Sequence, residues 1–207
     1  MHPKIKVLVA DDHKIVRIGL VSLLKTVKDL EVVGEASDGN EAIALAQQTR
    51  PDVAVIDLMM PQKDGIAATA EIHALLPETR ILILTTFGTS DGIARALASG
   101  AIGAVMKTAD DRLLIEAIRE VAAGRRYLSD DIQRLLADDP PIPELTERQS
   151  EILRSITRGL TNADIAKLLG IREDSVKKLV ATVCSKIGAA NRTEAAVIAL
   201  RKHLLKV

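Results

Sequence analysis

Apolar runs at 6–10 (KVLVA), 31–36 (EVVGEA), 53–57 (VAVID), 81–85 (ILILT) and 101–107 (AIGAVMK) alternate with stretches near 14–27, 40–48, 65–76, 90–98 and 110–123. In those stretches the apolar positions recur every three or four residues. Runs of this length, rich in valine and isoleucine, predict strands covered on both faces, and the periodic stretches predict helices with one face on a core. Five strand–helix repeats predict a five-stranded parallel sheet with helices on both sides. No glycine-rich phosphate loop follows a strand, so nucleotide binding is not expected.

From residue 144 the strand pattern stops. Four helical stretches follow, near 146–158, 162–169, 174–187 and 192–203. Thr146 with Gln149, Thr161 with Asp164, and Asn191 with Glu194 are start signals, since their side-chain oxygens can hold free first-turn amides. Gly159, Gly170 and Gly188 stand where helices should stop. The short break between the second and third helices predicts a helix-turn-helix. Between the two patterns lies ADDPPIPE (137–144), whose prolines and acids suit an extended linker. The expected organisation is therefore one domain over 1–127, a linker over 128–143 and an all-α domain over 144–207.

Charge sharpens this division. The chain of 207 residues is neutral overall, yet it carries a net −5 through residue 143 and +5 from residue 144. Acidic and basic parts imply different partners. No apolar run approaches the roughly 20 residues of a membrane span, and acids interrupt the N-terminal apolar run, so a cytoplasmic protein with no membrane partner is expected. A lone Cys184 excludes an internal disulfide. The four histidines are scattered, which argues against a histidine-based metal cluster. With Phe87 and Tyr127 as the only aromatics, base stacking on single strands is disfavoured.

Candidate chemistry gathers at the strand ends. The first run is followed by Asp11 and Asp12, the third ends at Asp57, the fourth at Thr85 and the fifth at Lys107. In open α/β sheets ligands bind at that edge. Converging carboxylates repel and suit a hard divalent cation; with a hydroxyl and an ammonium they supply the parts for phosphoryl transfer onto a carboxylate.

Residues 4 to 124, through Asp11, Asp12, Asp57 with the following LMMPQKDG, Thr85 and Lys107, resemble the receiver domain of two-component response regulators. The resemblance implies a flavodoxin-like fold in which Asp57 accepts a phosphoryl group from a sensor histidine kinase. It implies Mg²⁺ held by Asp11, Asp12, Asp57 and the carbonyl of Met59, with Lys107 and Thr85 contacting the phosphoryl oxygens. Ala104 departs from the family, which usually carries an aromatic there. Met59 and Phe87, apolar at positions flanking the site, are expected to screen the acyl phosphate from water.

Residues 145–203 resemble the LuxR-type, or NarL/FixJ-type, DNA-binding domain through LTERQSEIL, GLTNADIAKLLGI and SVKKLVATVCSKIGAANRTEAAV. This implies a positioning helix over 162–169 and a recognition helix over 174–187 in double-stranded DNA. Asn162, Ser175, Lys177, Lys178, Ala181, Thr182 and Lys186 are the candidate DNA-contacting residues. Arg172 stands where a serine usually caps the recognition helix. Homodimerisation through the last helix is expected.

The resulting expectation is a non-enzymatic, phosphorylation-controlled transcription regulator. A phosphohydrolase using Asp57 is disfavoured because Met59 occupies the position where such enzymes carry an acid. DNA binding uncoupled from Asp57, or a protein partner in place of DNA, are the alternatives.

Overall fold

The computed structural model describes residues 3–86, 89–142, 145–202 and 204–205, and the chain divides into two units between Pro140 and Pro141. In the first unit, β1 (Ile5–Ala10), β2 (Leu30–Ala36), β3 (Val53–Ile56), β4 (Arg80–Thr85), β5 (Gly103–Met106) and β6 (Tyr127–Leu128) form one sheet in the order β2-β1-β3-β4-β5-β6. All five pairings are parallel. Helices α1 (Lys14–Thr26), α2 (Gly39–Thr49), α3 (Gly65–Leu75), α4 (Ser90–Ala98) and α5 (Asp111–Ala122) connect the strands, and α6 (Asp130–Asp138) follows β6.

The unbroken apolar runs serve two cores at once. Val7, Val9, Val53 and Val55 join Leu24 of α1 and Ile118 of α5 on one face. Their neighbours Leu8, Ala10, Ala54 and Ile56 join Ile43 of α2, Ile72 of α3 and Ile93 of α4 on the other. Alternate side chains of a strand point to opposite faces, so a strand with both faces covered is apolar throughout.

The sheet has six strands rather than the expected five, and the expected linker is folded over its first half. Tyr127 and Leu128 pair in parallel with Gly103 and Ala104. Helix α6 then lays Ile132, Leu135 and Leu136 on the core that contains Ala104. Two causes act together: apolar residues spaced by three and four make an apolar helix face, and β5 would otherwise be left with unpaired edge groups. The first unit therefore runs on to Pro140.

Among its described residues the second unit holds helices only: α7 (Glu147–Thr157), α8 (Asn162–Leu169), α9 (Glu173–Lys186) and α10 (Arg192–Arg201). Ile152 and Leu153 of α7, Ile165 of α8, Val176 and Val183 of α9 and Ala195 of α10 meet in one core. Thr146 and Thr161 form complete capping boxes with Gln149 and Asp164, and Asn191 accepts the amide of Glu194. Gly170 ends α8 with a left-handed φ of 62°, and α9 starts three residues later. Cys184 is a buried free thiol. Among the described residues no helix is long and apolar enough to cross a membrane.

Candidate functional site

Neighbouring strands deliver the acidic residues to one place. The amide of Asp57 donates to Ala10 O at 2.9 Å, and that of Asp11 donates to Ala36 O at 3.1 Å. Both carboxylates therefore leave the sheet one residue past its hydrogen-bonded ladder. Lys107 arrives likewise, its amide donating to Thr85 O at 2.8 Å. Its Nζ lies 2.6 Å from Asp11 Oδ2 and 2.7 Å from Asp57 Oδ2. Asp11 and Asp57 are buried, while Asp12 is partly exposed and opens the cluster to solvent. Thr85 is fully buried, and its hydroxyl has no hydrogen-bond partner among the described residues.

Burial pushes the Asp57 carboxyl above its ordinary value, although its bond to Lys107 pulls the other way. Burial also acts to lower Lys107, but Asp11 and Asp57 together outweigh it and hold the ammonium above its usual range. One donor atom each from Asp11, Asp12, His13 and Asp57 lies within 4.8 Å of the others. Three hard carboxylates around a space of this size fit a divalent cation, because one ammonium does not neutralise them.

The residues after Asp57 hold its backbone. Gly65 opens α3 against it, and a Cβ there would stand 2.0 Å from the Asp57 carbonyl oxygen. The Gly65 amide donates to Leu58 O at 2.9 Å, Gln62 takes a left-handed φ of 63°, and Asp64 caps α3 through the Ala67 amide at 2.7 Å. The stretch PQKDG is thus a tight return that leaves the carboxylate no slack. The Met59 amide reaches Asp57 Oδ1 at 3.4 Å while its side chain stays exposed. Phe87 lies outside the described residues.

Two residues were not singled out from sequence. His13 directs Nδ1 to within 2.7 Å of Asp12 Oδ1, and Arg17 donates to the backbone carbonyl of Asp11. In the chain His13 follows Asp12 directly, and Arg17 stands one helical turn further on, facing back to the same loop.

In the second unit α9 buries Val176, Val183, Cys184 and Ile187 and exposes Ser175, Lys177, Lys178, Ala181, Thr182 and Ser185. Lys177 leans back on Asp174 and Glu173 at 3.3 and 3.7 Å. Thr182 donates to Lys178 O, Lys186 to Gln149 Oε1, and Arg192 to Asn162 Oδ1. The candidates on α9 therefore share one outward side, apart from Lys186, which is half-buried. Arg172 makes no side-chain cap, and Glu173 and Asp174 supply the favourable first-turn charge instead.

Residues 7–119 match the family described as response regulator receiver domain, and residues 143–199 match bacterial regulatory proteins of the luxR family. Response regulator protein VraR of Staphylococcus aureus is 36% identical over 207 residues, covering 98% of this chain and 99% of its own. Among solved structures, response regulator ChrA of a heme-sensing two-component system is 36% identical, with a TM-score of 0.59 over 98% of this chain and 99% of that one. The two-component response regulator RcsB in complex with DNA is 26% identical, with a TM-score of 0.72 over 96% and 98%. The chain belongs to the response regulators, as a receiver domain followed by a luxR-type helix-turn-helix domain.

Proposed function

We propose that Asp57 accepts a phosphoryl group from a sensor histidine kinase and that this controls binding of the second unit to double-stranded DNA, and so transcription. The observation that carries the reading is the buried cluster of Asp11, Asp57 and Lys107 at the carboxyl edge of the sheet. An Asp57 carboxylate oxygen forms the O–P bond as the N–P bond of a phosphohistidine breaks, and the imidazole leaves with the bonding pair and takes a proton from solvent. Lys107 then neutralises a phosphoryl oxygen, and the unpartnered hydroxyl of Thr85 donates to another. When held by Asp11, Asp12, Asp57 and the Met59 carbonyl, Mg²⁺ supplies positive charge and open positions for phosphoryl oxygens. The exposed Met59 side chain limits the access of water to the acyl phosphate. Ile15 and Ile18, exposed on α1 just after the acidic pair, offer the kinase an apolar contact.

Coupling to the second unit proceeds without an aromatic rotor. Ala104 is fully buried in the core that α6 covers, so a response to Thr85 travels through the backbone of β4 and α4. A bias of about 1–3 kcal/mol between conformations is enough for a several-fold effect on DNA affinity.

Lys177, Lys178 and Ala181 face the bases in the major groove, with Ser175, Thr182, Lys186 and Asn162 on the DNA backbone. Lys177 exchanges Asp174 and Glu173 for DNA. Val197 and Leu200, exposed on α10, pair with a second copy on a two-part site. A cytoplasmic location goes with a DNA partner, and binding rather than catalytic turnover is the output.

The test is selection from a random duplex DNA pool by the full-length protein in Mg²⁺, with and without beryllium trifluoride as phosphoryl mimic. A motif enriched mainly with the mimic, and lost in Lys177→Ala, is expected. Equal enrichment in both conditions would mean uncoupled DNA binding. No enrichment would favour a protein partner, the reading that the uncapped start of α9 also allows.

A further inference from the structure

His13 stands at the start of α1 but does not cap it, since its side chain makes no bond to the first-turn amides. Its backbone amide donates to Asp11 Oδ1 at 2.8 Å, which anchors the residue beside the acidic pair. The ring turns toward the carboxylates, with Nδ1 2.7 Å from Asp12 Oδ1 and 3.7 Å from Asp11 Oδ1. Asp11, Asp12, His13 and Asp57 each place a donor atom within 4.8 Å of the others. Ligands about 2.0–2.2 Å from one ion stand at most twice that far apart. Small rotations therefore suffice to bring the four together, and two of the side chains are free to make them: that of His13 is 68% exposed and that of Asp12 30%.

We propose that His13 is a fourth donor to the divalent cation of this site, and that it strengthens the site's preference for borderline ions of the zinc and nickel class over Mg²⁺. The presence of a cation here rests on the acceptor-site reading above. Mg²⁺ prefers oxygen and keeps its waters, whereas imidazole nitrogen suits Zn²⁺ and Ni²⁺. Coordination uses the lone pair of Nδ1, so the ring proton is carried on Nε2. A site of carboxylates alone also binds Zn²⁺ more tightly than Mg²⁺. The mark of His13 is therefore the part of that preference which disappears with the ring.

The experiment is calorimetric titration of the full-length, metal-free protein with Mg²⁺ and separately with Zn²⁺, for the wild type, His13→Ala and Asp12→Asn. Ring ¹⁵N spectra of the wild type, with the His13 signals assigned by their loss in His13→Ala, accompany it. His13→Ala is expected to weaken Zn²⁺ about tenfold or more, a loss of the size seen when even a supporting residue is removed, and to change Mg²⁺ by less than about twofold. The Nδ1 signal of His13 should move with Zn²⁺ and stay in place with Mg²⁺, and Asp12→Asn should weaken both ions. Equal effects of His13→Ala on both ions, or an unmoved ring signal, would overturn the proposal and leave His13 as a simple partner of Asp12. Failure of wild-type protein to bind Mg²⁺ at all would instead overturn the acceptor-site reading.

Discussion

At the edge of the sheet, Asp11, Asp57 and Lys107 are almost wholly buried and joined within 2.7 Å, whereas on α9 Lys177 and Lys178 stand in solvent, Lys177 paired with acids of its own helix. The first group is placed by backbone: strand ladders deliver the side chains, and a glycine without room for a Cβ fixes the return of the chain. The second group is placed only in direction, by helical periodicity. A buried charge must be paired where it stands, because leaving it alone costs several kcal/mol. An exposed one keeps its freedom and is worth little until a partner arrives. The receiver site should therefore tolerate almost no backbone change, and the α9 face should respond to single substitutions in graded steps.

The largest effect should come from Gly65→Ala. With backbone 2.0 Å from the added Cβ, the first unit is expected to lose about 4 kcal/mol or more, within the exceptional range for one substitution. Gly170→Ala meets open space at a φ of 62°, so its cost is the left-handed strain of about 1–2 kcal/mol. Denaturant midpoints of the two variants check this, and equal losses would break the contrast.

A smaller effect is expected for Lys178→Ala. Affinity for the selected motif should fall about fivefold or more and specificity at one base position should relax, the loss of one base contact. Phosphoryl acceptance from an acyl phosphate, followed by intact mass, should be unchanged. Titrations of labelled duplex over a salt series decide between this base contact and a phosphate contact, which would shrink the slope of log affinity against log salt by about 0.9 and weaken all sequences alike.

Arg172→Ser should give the smallest change and the opposite sign. A serine cap on α9 is worth about 1 kcal/mol, seen as a higher melting temperature of the second unit. No change would show that Glu173 and Asp174 already satisfy the helix start.

The valine-rich runs and the acids, threonine and lysine at their ends could be read in the chain because both faces of those strands are covered and one edge collects their ends. The order of the strands could not. It is a tertiary result: it sets the ends of β1 and β3 side by side, and Lys107 reaches both carboxylates from β5, two strands beyond β3. The pair β6 and α6 escaped notice because a two-residue strand has no periodicity of its own, and the acids of DDIQRLLADD resemble a solvated linker. Its signal was Ile132, Leu135 and Leu136. His13 is not legible as a partner of the acids among four scattered histidines, since sequence does not show that the loop after β1 turns its ring back on Asp12. On α9 the outward side was legible, but the substitution of Arg172 for a cap was answered by the acids beside it.

The cover that β6 and α6 place on β5 also sets a clock on synthesis. The chain emerges N-terminus first, and β5 is complete at Met106 while α6 ends at Asp138. At about 5–20 residues per second, these 32 further residues take roughly 2–6 s. Until β6 emerges the outer edge of β5 is open, and through the whole interval Ala104 lacks its covering helix, a state that invites pairing with a neighbouring nascent chain. The acids crowding α6, Asp130, Asp131 and Asp138, keep the last segment hydrated until Ile132 finds its place.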